Sequence, residues 1–278
     1  MSDHEQILEH ESAVSELSQP ELEDADSRSS PSAKVVHEAI RLEGTEELAR
    51  PTSSIGWSGL AAGLTMGCSM LGQGILDARL PDAPWRDLVS AFGYSSGFLF
   101  VTMGRQQLFT ETTLTVTLPY LHGTHRMSAV ARYWAVVFAA NIVGTILFAL
   151  AATIPGLFEA DTAAAFTDLG VKAAAPGFVA VLLKGVFAGW LIALMVWLLP
   201  AARSARFVVI IAVTWLIGVA HFSHVVAGSV ETAFAAAEGA IGWGDYAVGF
   251  MLPALIGNVV GGVLLVAVLN HAQVREEI

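Results

Sequence analysis

The sequence predicts an all-α membrane protein with six spanning helices, arranged as an inverted 3+3 repeat in which spans 2 and 5 are broken. Charged residues make up 14% of the chain and hydrophobic residues 54%, whereas soluble domains carry about a quarter charged residues. The charge is uneven, because residues 1–50 are polar and acidic and long apolar blocks fill residues 55–270. Two of these blocks contain a polar interruption. This pattern is typical of a membrane protein with a soluble tail.

The segment before the first apolar block has two parts. Residues 1–32 are rich in Ser, Glu, Asp and Pro, which predicts a disordered cytoplasmic tail that cannot build a core. Residues 33–52 place Val36, Ile40 and Leu42 near one face, which predicts an amphipathic helix at the membrane interface or against the first loop. A solvated helix within the tail is the open alternative.

Residues 53–271 are predicted to form the channel domain, and residues 272–278 a cytoplasmic C-terminus. The six predicted spans are 54–76, 85–121 (interrupted at 104–111), 130–154, 176–199, 207–237 (interrupted at 218–228) and 246–269. Each uninterrupted span meets the length of about 20 residues that a helix needs to cross about 30 Å of hydrocarbon.

The distribution of Lys and Arg predicts the orientation. With the N-terminus inside, nine of these residues fall on the inner side and three on the outer side. The inner residues are Arg28, Lys34, Arg41, Arg50, Arg126, Arg132, Arg203, Arg206 and Arg275, and the outer ones are Arg79, Arg86 and Lys172. Cytoplasmic segments carry the excess of positive residues, so both termini are predicted to be cytoplasmic.

The two halves of the channel domain share short motifs in the same order. The glycine pairs 59/63 and 185/189, the Asn-x-x-Gly motifs at Asn141 and Asn258, and the two interruptions correspond. Three spans per half make the repeat inverted, and paired broken helices in an inverted repeat indicate a central permeation site. The glycines are predicted to be packing positions. Asn141 and Asn258 are predicted to bond across helices to carbonyls freed at the breaks.

The first interruption holds charged and apolar side chains in one short stretch. A charge at the bilayer centre persists only when it is paired or hydrated, so Arg105 is expected to pair with Glu111 or Glu231. Leu108 and Phe109 suit a hydrophobic constriction. Thr110 is expected to begin the second half-helix, with its hydroxyl directed to the pore centre.

The second interruption contains His221 and His224. His224 is predicted to lie opposite Thr110 in the repeat, and a neutral imidazole in a pore can hydrogen-bond an anion or share a proton with it. His221 is predicted to be a lining or structural residue. No Cys or carboxylate lies at a spacing that would complete a metal site around this pair.

Two lysines remain near the pore. Lys172 is placed to draw anions to the outer mouth, although an ordinary loop lysine is an equal alternative, and Lys184 lies within the fourth span.

No nucleophile–base set or phosphate-binding loop is present, so we expect neither an enzyme nor a cofactor. No basic cluster indicates nucleic acid, and the single Cys68 excludes an internal disulfide.

Four stretches together resemble the formate/nitrite transporter family, most closely its YfdC-like branch, over about residues 33–275. They are Arg105–Glu111, Gly189–Ala193 with Val196-Trp197, His224–Glu231 and Gly257–Gly262. The resemblance implies an aquaporin-like bundle assembled as a homopentamer in the lipid bilayer of a bacterial inner membrane. It also implies passage of small monovalent anions, such as formate, nitrite or hydrosulfide, with or without protons.

The resemblance also implies roles for particular residues. The Leu-Phe-Thr group of the family corresponds to Leu108, Phe109 and Thr110, and the pore histidine to His224. The constriction residues correspond to Tyr94, Phe98 and Ile217, and an outer lysine to Lys172.

The chain departs from the family pattern at three places. Gln107 stands where an acidic residue is common, Gly189 where an asparagine is expected, and an apolar run follows His224. Two alternatives to an anion channel therefore stay open: a pore for neutral small solutes, and a non-conducting pentameric scaffold with an acidic tail.

Overall fold

The computed structural model describes Ser18, Glu21 and residues 30–276. The prediction of a disordered tail therefore falls almost entirely outside the described residues. The helices are α1 (Ala33–Ala49), α2 (Thr52–Arg79), α3 (Arg86–Met103), α4 (Phe109–Thr115), α5 (Thr117–Leu121), α6 (Met127–Ala152), α7 (Ala160–Ala174), α8 (Phe178–Ala202), α9 (Arg206–Val219), α10 (Val225–Ala237), α11 (Leu252–Gly262) and α12 (Leu269–Glu276). A wide π-helical stretch at Asp245–Met251 leads into α11, and a second at Val263–Val268 joins α11 to α12, so the final helix is continuous.

The helices form the predicted bundle of six spans, two of which are broken. Four stretches are long and apolar enough to cross a membrane: Thr52–Arg79, Met127–Ala152, Phe178–Val219 and Asp245–Arg275. The third of these contains both α8 and the half-span α9. The broken spans consist of α3 followed by α4 and α5, and of α9 followed by α10.

The inverted repeat is visible in two equivalent helix crossings. A side chain added to Gly63 of α2 would collide with the backbone of Asn141 in α6, and one added to Gly189 of α8 would collide with the backbone of Asn258 in α11. Gly144 and Gly261 approach the opposite helix as closely. Small residues allow membrane helices to pack backbone against backbone. The predicted glycine pairs therefore set the same crossing in each half.

The two breaks follow the same backbone path and are shorter than predicted. They cover residues 104–108 and 220–224, because α4 already begins at Phe109 and α10 at Val225. Arg105 has φ of 52° and His221 has φ of 50°, in the left-handed region that most residues avoid. The amide following each one donates back to the preceding half-helix, from Gln106 to Val101 and from Phe222 to Ile217.

Helix α1 packs on the end of the bundle where α12 also lies, which is named here the terminal face. Its buried side comprises Val36, His37, Ile40, Gly44 and Leu48, and it contacts α5, α8 and α12. A solvated helix in a tail is therefore the wrong interpretation. Its position relative to the membrane surface stays a prediction.

Helix α7 was not predicted, since its residues were assigned to an outer loop. It lies at the opposite end of the bundle, named here the distal face, and packs against α10 and α2. Phe166 is fully buried and packs edge-on against Phe158 and Phe234. The final helix also extends to Glu276, beyond the predicted end of the channel domain at residue 271.

Candidate functional site

The N-terminal ends of the half-helices α4 and α10 meet at the centre of the bundle. Thr110 Oγ1 and His224 Nε2 lie 2.7 Å apart, and both side chains are buried. The ring of Phe98 contacts the imidazole edge-on, with centroids 4.8 Å apart. A hydroxyl, an imidazole and two helix N-termini, which carry partial positive charge, thus converge on one point.

The hydrogen bonds of His224 fix its tautomer. His224 is the N-cap of α10, and its Nδ1 accepts a hydrogen bond of 3.1 Å from the amide of Ala227. A neutral imidazole that accepts at Nδ1 carries its proton on Nε2. The Nε2–H group therefore donates to Thr110 Oγ1, which leaves the hydroxyl proton of Thr110 available to a third group.

Asn141 and Asn258 hold the two half-helices in place by equivalent sets of three hydrogen bonds. Asn141 accepts from the Phe109 amide at 2.9 Å and donates to the carbonyls of Gly59 and Gln107 at 2.7 and 2.9 Å. Asn258 accepts from the Val225 amide at 2.8 Å and donates to the carbonyls of Gly185 and Ser223 at 2.9 and 2.8 Å.

These bonds correct the predicted register of the repeat. Because Phe109 and Val225 bind equivalent asparagines, Leu108 is the counterpart of His224, and both are N-caps. The prediction that His224 corresponds to Thr110 in the repeat is therefore wrong, although their side chains do meet. Thr110 is the second residue of α4 rather than the first.

A cavity of about 220 Å³ leads from the distal face to His224. We call it the distal cavity. Of the predicted site residues, its lining includes Tyr94, Lys172, Ile217, His221, His224 and Glu231. Gln73, Asp77 and Asp87 also line it. Only the packing of α2 against α3 and α10 brings these three together, and sequence reasoning missed them.

A second cavity, of about 380 Å³, reaches inward from the terminal face. We call it the terminal cavity. Gln107, Glu111 and Arg105 line it, together with Glu43, Glu46, Glu47 and Arg50 of or next to α1. Thr102 donates to Glu111 Oε1 at 2.6 Å and Thr115 donates to Glu47 Oε2 at 2.7 Å. Sequence reasoning missed Glu47 because α1 was placed away from the pore, and it also missed Thr102 at the end of α3.

Fully buried side chains separate the two cavities. Leu108 and Phe98 have no exposed surface, and His224 is 1% exposed. Tyr94 stacks at a tilt on Phe98, with centroids 5.3 Å apart. The centre of the bundle is thus an apolar constriction beside the Thr110–His224 pair, with a cavity on each side.

Two predicted site residues make contacts that the sequence did not predict. The ring of Phe109 packs against Trp134 and Phe138 of α6, and its place in the constriction stays a prediction. Arg105 pairs with Glu43 at 2.9 Å and its side chain is 72% exposed, so the predicted pairing with Glu111 or Glu231 is wrong. A seven-residue half-helix does not reveal from its sequence which face points to the pore.

The remaining charged residues lie around the distal cavity. His221 lies 3.9 Å from Asp87 with its side chain 55% exposed, which places it at the rim. Lys172 lies in the last turn of α7 rather than in a loop. Lys184 is half-buried and lines the same cavity as the buried Glu231.

Two departures from the family pattern have a structural explanation. Gly189 touches the backbone of Asn258, so an asparagine side chain does not fit at this position. Gln107 holds the break by side-chain and backbone bonds, because its Oε1 accepts from Tyr133 at 2.7 Å and its amide donates to Ser58 at 3.1 Å. Among the residues that the structure describes, no cluster of His, Cys, Asp or Glu is suited to a metal ion.

Comparisons with known proteins agree with this architecture. The family model described as formate/nitrite transporter matches residues 34–272. The inner membrane protein YfdC of Escherichia coli (strain K12) is 40% identical over 247 residues, which cover 88% of this chain and 80% of that protein. The uncharacterized transporter YrhG of Bacillus subtilis (strain 168) is 28% identical over 214 residues, covering 70% and 77%.

Solved structures show the same fold. An FNT family ion channel superposes with a TM-score of 0.77 at 19% identity, covering 86% of this chain and 98% of that one. A pentameric formate channel with formate bound superposes with a TM-score of 0.67 at 18% identity, covering 80% and 97%.

Proposed function

Because the chain belongs to the formate/nitrite transporter family, we propose that it is a passive or proton-coupled channel for small monovalent anions of the formate, nitrite and hydrosulfide class. The observation that carries this proposal is the Thr110–His224 pair, buried in an apolar constriction between two cavities. We propose no enzymatic activity.

The constriction favours a permeant that crosses without net charge. Phe98 and Leu108 offer no compensating charge to a bare anion, and burying an unpaired charge in apolar surroundings is prohibitive. Formate, nitrite and hydrosulfide are conjugate bases of weak acids, and an apolar environment favours their protonated, neutral forms. A neutral acid can pass such a constriction where the anion cannot.

The hydrogen bonds of the Thr110–His224 pair give its two residues different roles. The Nε2–H group of His224 is held on Thr110 Oγ1, and Nδ1 is occupied by the Ala227 amide. Accepting a further proton at Nδ1 would break the N-cap bond. We therefore propose that His224 acts as a fixed hydrogen-bond donor, that the Thr110 hydroxyl donates to the permeant, and that water in the cavities supplies the proton.

The cavities are proposed to guide the permeant to this pair. In the distal cavity, Lys172 and Lys184 supply positive charge beside the carboxyl groups of Asp77, Asp87 and Glu231. The first-turn amides of α4 and α10 add positive potential at the centre. Tyr94 and Ile217 are proposed to narrow the distal approach. Leu108 is proposed to form the apolar element at the constriction.

The oligomeric state and the cellular location are proposed from the similar proteins. A pentameric formate channel shares the fold, so we propose a homopentamer with one pore per protomer. The relative from Escherichia coli is an inner membrane protein, and we propose the inner membrane of a bacterium for this chain, with both termini cytoplasmic. The asymmetry of Lys and Arg supports that orientation.

The proposal is tested by measuring flux through the full chain in proteoliposomes. We expect uptake of labelled formate and nitrite to rise by up to about tenfold for each unit by which pH falls, because the protonated fraction of a weak acid changes tenfold per unit. Swelling driven by glycerol or urea, the matched neutral solutes, should stay at the level of empty liposomes. Flux of neutral solutes without anion uptake would indicate a pore for neutral solutes. No flux of either kind would indicate a non-conducting scaffold.

A further inference from the structure

Glu231 is a buried carboxyl that opens on the distal cavity. The residue is 7% exposed and lines the cavity wall. Within the described part of the chain no hydrogen bond or ion pair holds its carboxyl, and the carboxyl oxygens are not enclosed by protein atoms. Glu231 is therefore directed at whatever occupies the cavity rather than at another side chain.

Glu231 lies on the same face of α10 as His224. His224 is the N-cap of this helix, and Gly228 and Glu231 follow it at the spacing of one helix face over two turns. All three residues line the distal cavity. Because a helix rises about 1.5 Å per residue, Glu231 lies about 10 Å from His224 along α10. A permeant that enters from the distal face thus passes Glu231 before it reaches His224.

Two further buried polar side chains open on the same cavity. Gln73 of α2 is 6% exposed and Tyr94 of α3 is 5% exposed, and both line the cavity. Neither side chain has a hydrogen bond within the described part of the chain, although buried polar groups are normally bonded. The amide of Gln73 and the hydroxyl of Tyr94 are both hydrogen-bond donors. Together with Glu231 they form a site that suits a small polar permeant.

The charges around the cavity suit an anion beside a neutral carboxyl. The two lysines supply positive charge, whereas a buried carboxyl with no bonded cation is most stable as the neutral acid. Helix α6 and the final helix also pack on α10, but their described residues add no titratable group to the lining. The titratable and charged groups that face Glu231 across the cavity are Asp77, Asp87, Tyr94, Lys172, Lys184, His221 and His224.

We propose that Glu231 passes the proton from the water of the distal cavity to the permeant, an inference that rests on the proposed function. An anion such as formate, held by Gln73 and Tyr94, takes the proton of the neutral carboxyl. The O–H bond of Glu231 breaks and an O–H bond forms on the formate oxygen. The neutral acid moves on to Thr110, and the Glu231 carboxylate regains a proton from water. A neutral acid that arrives from the terminal cavity returns its proton by the reverse step.

The test measures uptake of labelled formate by the full chain in proteoliposomes at a series of pH values. Glu231→Gln keeps the size and hydrogen bonding of the side chain but cannot transfer a proton, whereas Glu231→Asp keeps the carboxyl in a shorter side chain. The matched control is Glu238→Gln, which removes an exposed carboxyl at the C-cap of the same helix. Thermal unfolding in detergent measures whether each variant is folded.

We expect Glu231→Gln to lower uptake by about tenfold or more, Glu231→Asp to keep about half of it or more, and Glu238→Gln to leave it unchanged. The loss in Glu231→Gln should shrink as pH falls, because more of the formate then enters already protonated. A role in packing alone predicts the opposite order, since glutamine matches the size of glutamate.

The two possible failures are distinguishable. Uptake by Glu231→Gln at or above the level of Glu231→Asp, while the wild type takes up formate, would overturn the role of Glu231 alone. No formate uptake by the wild type would overturn the proposed function and the role of Glu231 together.

Discussion

At the scale of single residues, His224 both caps α10 and bonds to Thr110. Its sequence context reveals only the second of these roles. A histidine inside an apolar stretch could be recognised as a pore candidate, and Thr110 as its partner. The N-cap bond from Ala227 to Nδ1 could not be foreseen, because it depends on α10 starting one residue after His224. That bond is what makes Nε2 the donor and leaves the hydroxyl proton of Thr110 free.

At the same scale, the structure distinguishes Leu108 from Phe109. The two residues are adjacent and apolar, and their sequence offers no reason to separate them. In the structure the Phe109 amide binds Asn141 and its ring packs against Trp134 and Phe138, whereas Leu108 is the N-cap of α4. Backbone bonding, rather than hydrophobicity, distinguishes the two positions.

The buried carboxyl of Glu47 leads to a prediction of how the melting temperature depends on pH. Burial raises the pKa of Glu47 to about 7, against an opposing hydrogen bond from Thr115. A carboxyl whose folded-state pKa is raised stabilises the fold fully below its unfolded pKa, and this contribution is lost as pH rises through about 7. We expect the melting temperature to fall between about pH 5 and about pH 8, and Glu47→Gln to reduce that fall.

The control for this prediction is Glu46→Gln, a substitution at the exposed neighbouring carboxyl that lines the same cavity. Thermal unfolding in detergent across this pH range measures both variants. Indistinguishable pH profiles for Glu46→Gln and Glu47→Gln would rule out the assignment of the effect to Glu47.

At the scale of elements, the two half-helices depend on partners outside themselves. Helix α4 has 7 residues and α10 has 13, and isolated helices of this length are marginal in water. Asn141 and Asn258 bind the first amide of each half-helix and the carbonyl just before its N-cap. This function was predictable from the sequence, since a buried asparagine beside a broken helix has few other partners.

Replacing Asn141 by Leu tests this support. The substitution leaves the amide of Phe109 and the carbonyl of Gln107 without their partner, and each buried unsatisfied group costs about 1–3 kcal/mol. We expect a loss of about 3 kcal/mol in stability, seen as a lower midpoint of thermal unfolding. Asn270→Leu, which alters the half-buried third asparagine of the chain, should change the midpoint little, and equal losses in the two variants would refute the role of Asn141.

Helix α7 marks the limit of prediction at this scale. Its sequence contains Thr, Asp and Gly and follows a turn, so it resembles a loop in isolation. It becomes a helix that covers α10 because Phe166 and Leu169 find buried positions there. Tertiary packing determines this element, and the same packing brings Leu169, Lys172 and Ala173 of α7 to the distal cavity.

At the scale of the whole molecule, the inverted repeat was predictable because the close approach of two helices requires glycine. The motifs at Gly59/Gly63 and Gly185/Gly189 identified the two crossings before any contact was known. The two cavities were not predictable, since their linings combine residues from helices far apart in sequence. The predicted register of the repeat was wrong, because aligning the two halves of the sequence does not distinguish Leu108 from Thr110 as the counterpart of His224.

The repeat also predicts where the chain ends lie. Helix α1 contacts α12, with His37 and His271 bonded, so both ends of the channel domain are on one face. We expect a reporter that is active only in the cytoplasm to be active when fused to either terminus, and a periplasmic reporter to be inactive at both. Activity of the two fusions on opposite sides of the membrane would contradict the six-span topology.

The central claim, that small anions pass beside the Thr110–His224 pair, is tested most directly by formate uptake into proteoliposomes across an inward proton gradient. The wild type is compared with Thr110→Ala and His224→Ala, and with His221→Asn as a matched change of a histidine at the rim. Asparagine suits the left-handed backbone at that position. We expect uptake to fall by about tenfold or more in the two central variants, the effect of about 1.4 kcal/mol in the barrier, and to stay near the wild-type level in His221→Asn. Unchanged uptake in Thr110→Ala and His224→Ala would contradict the central claim.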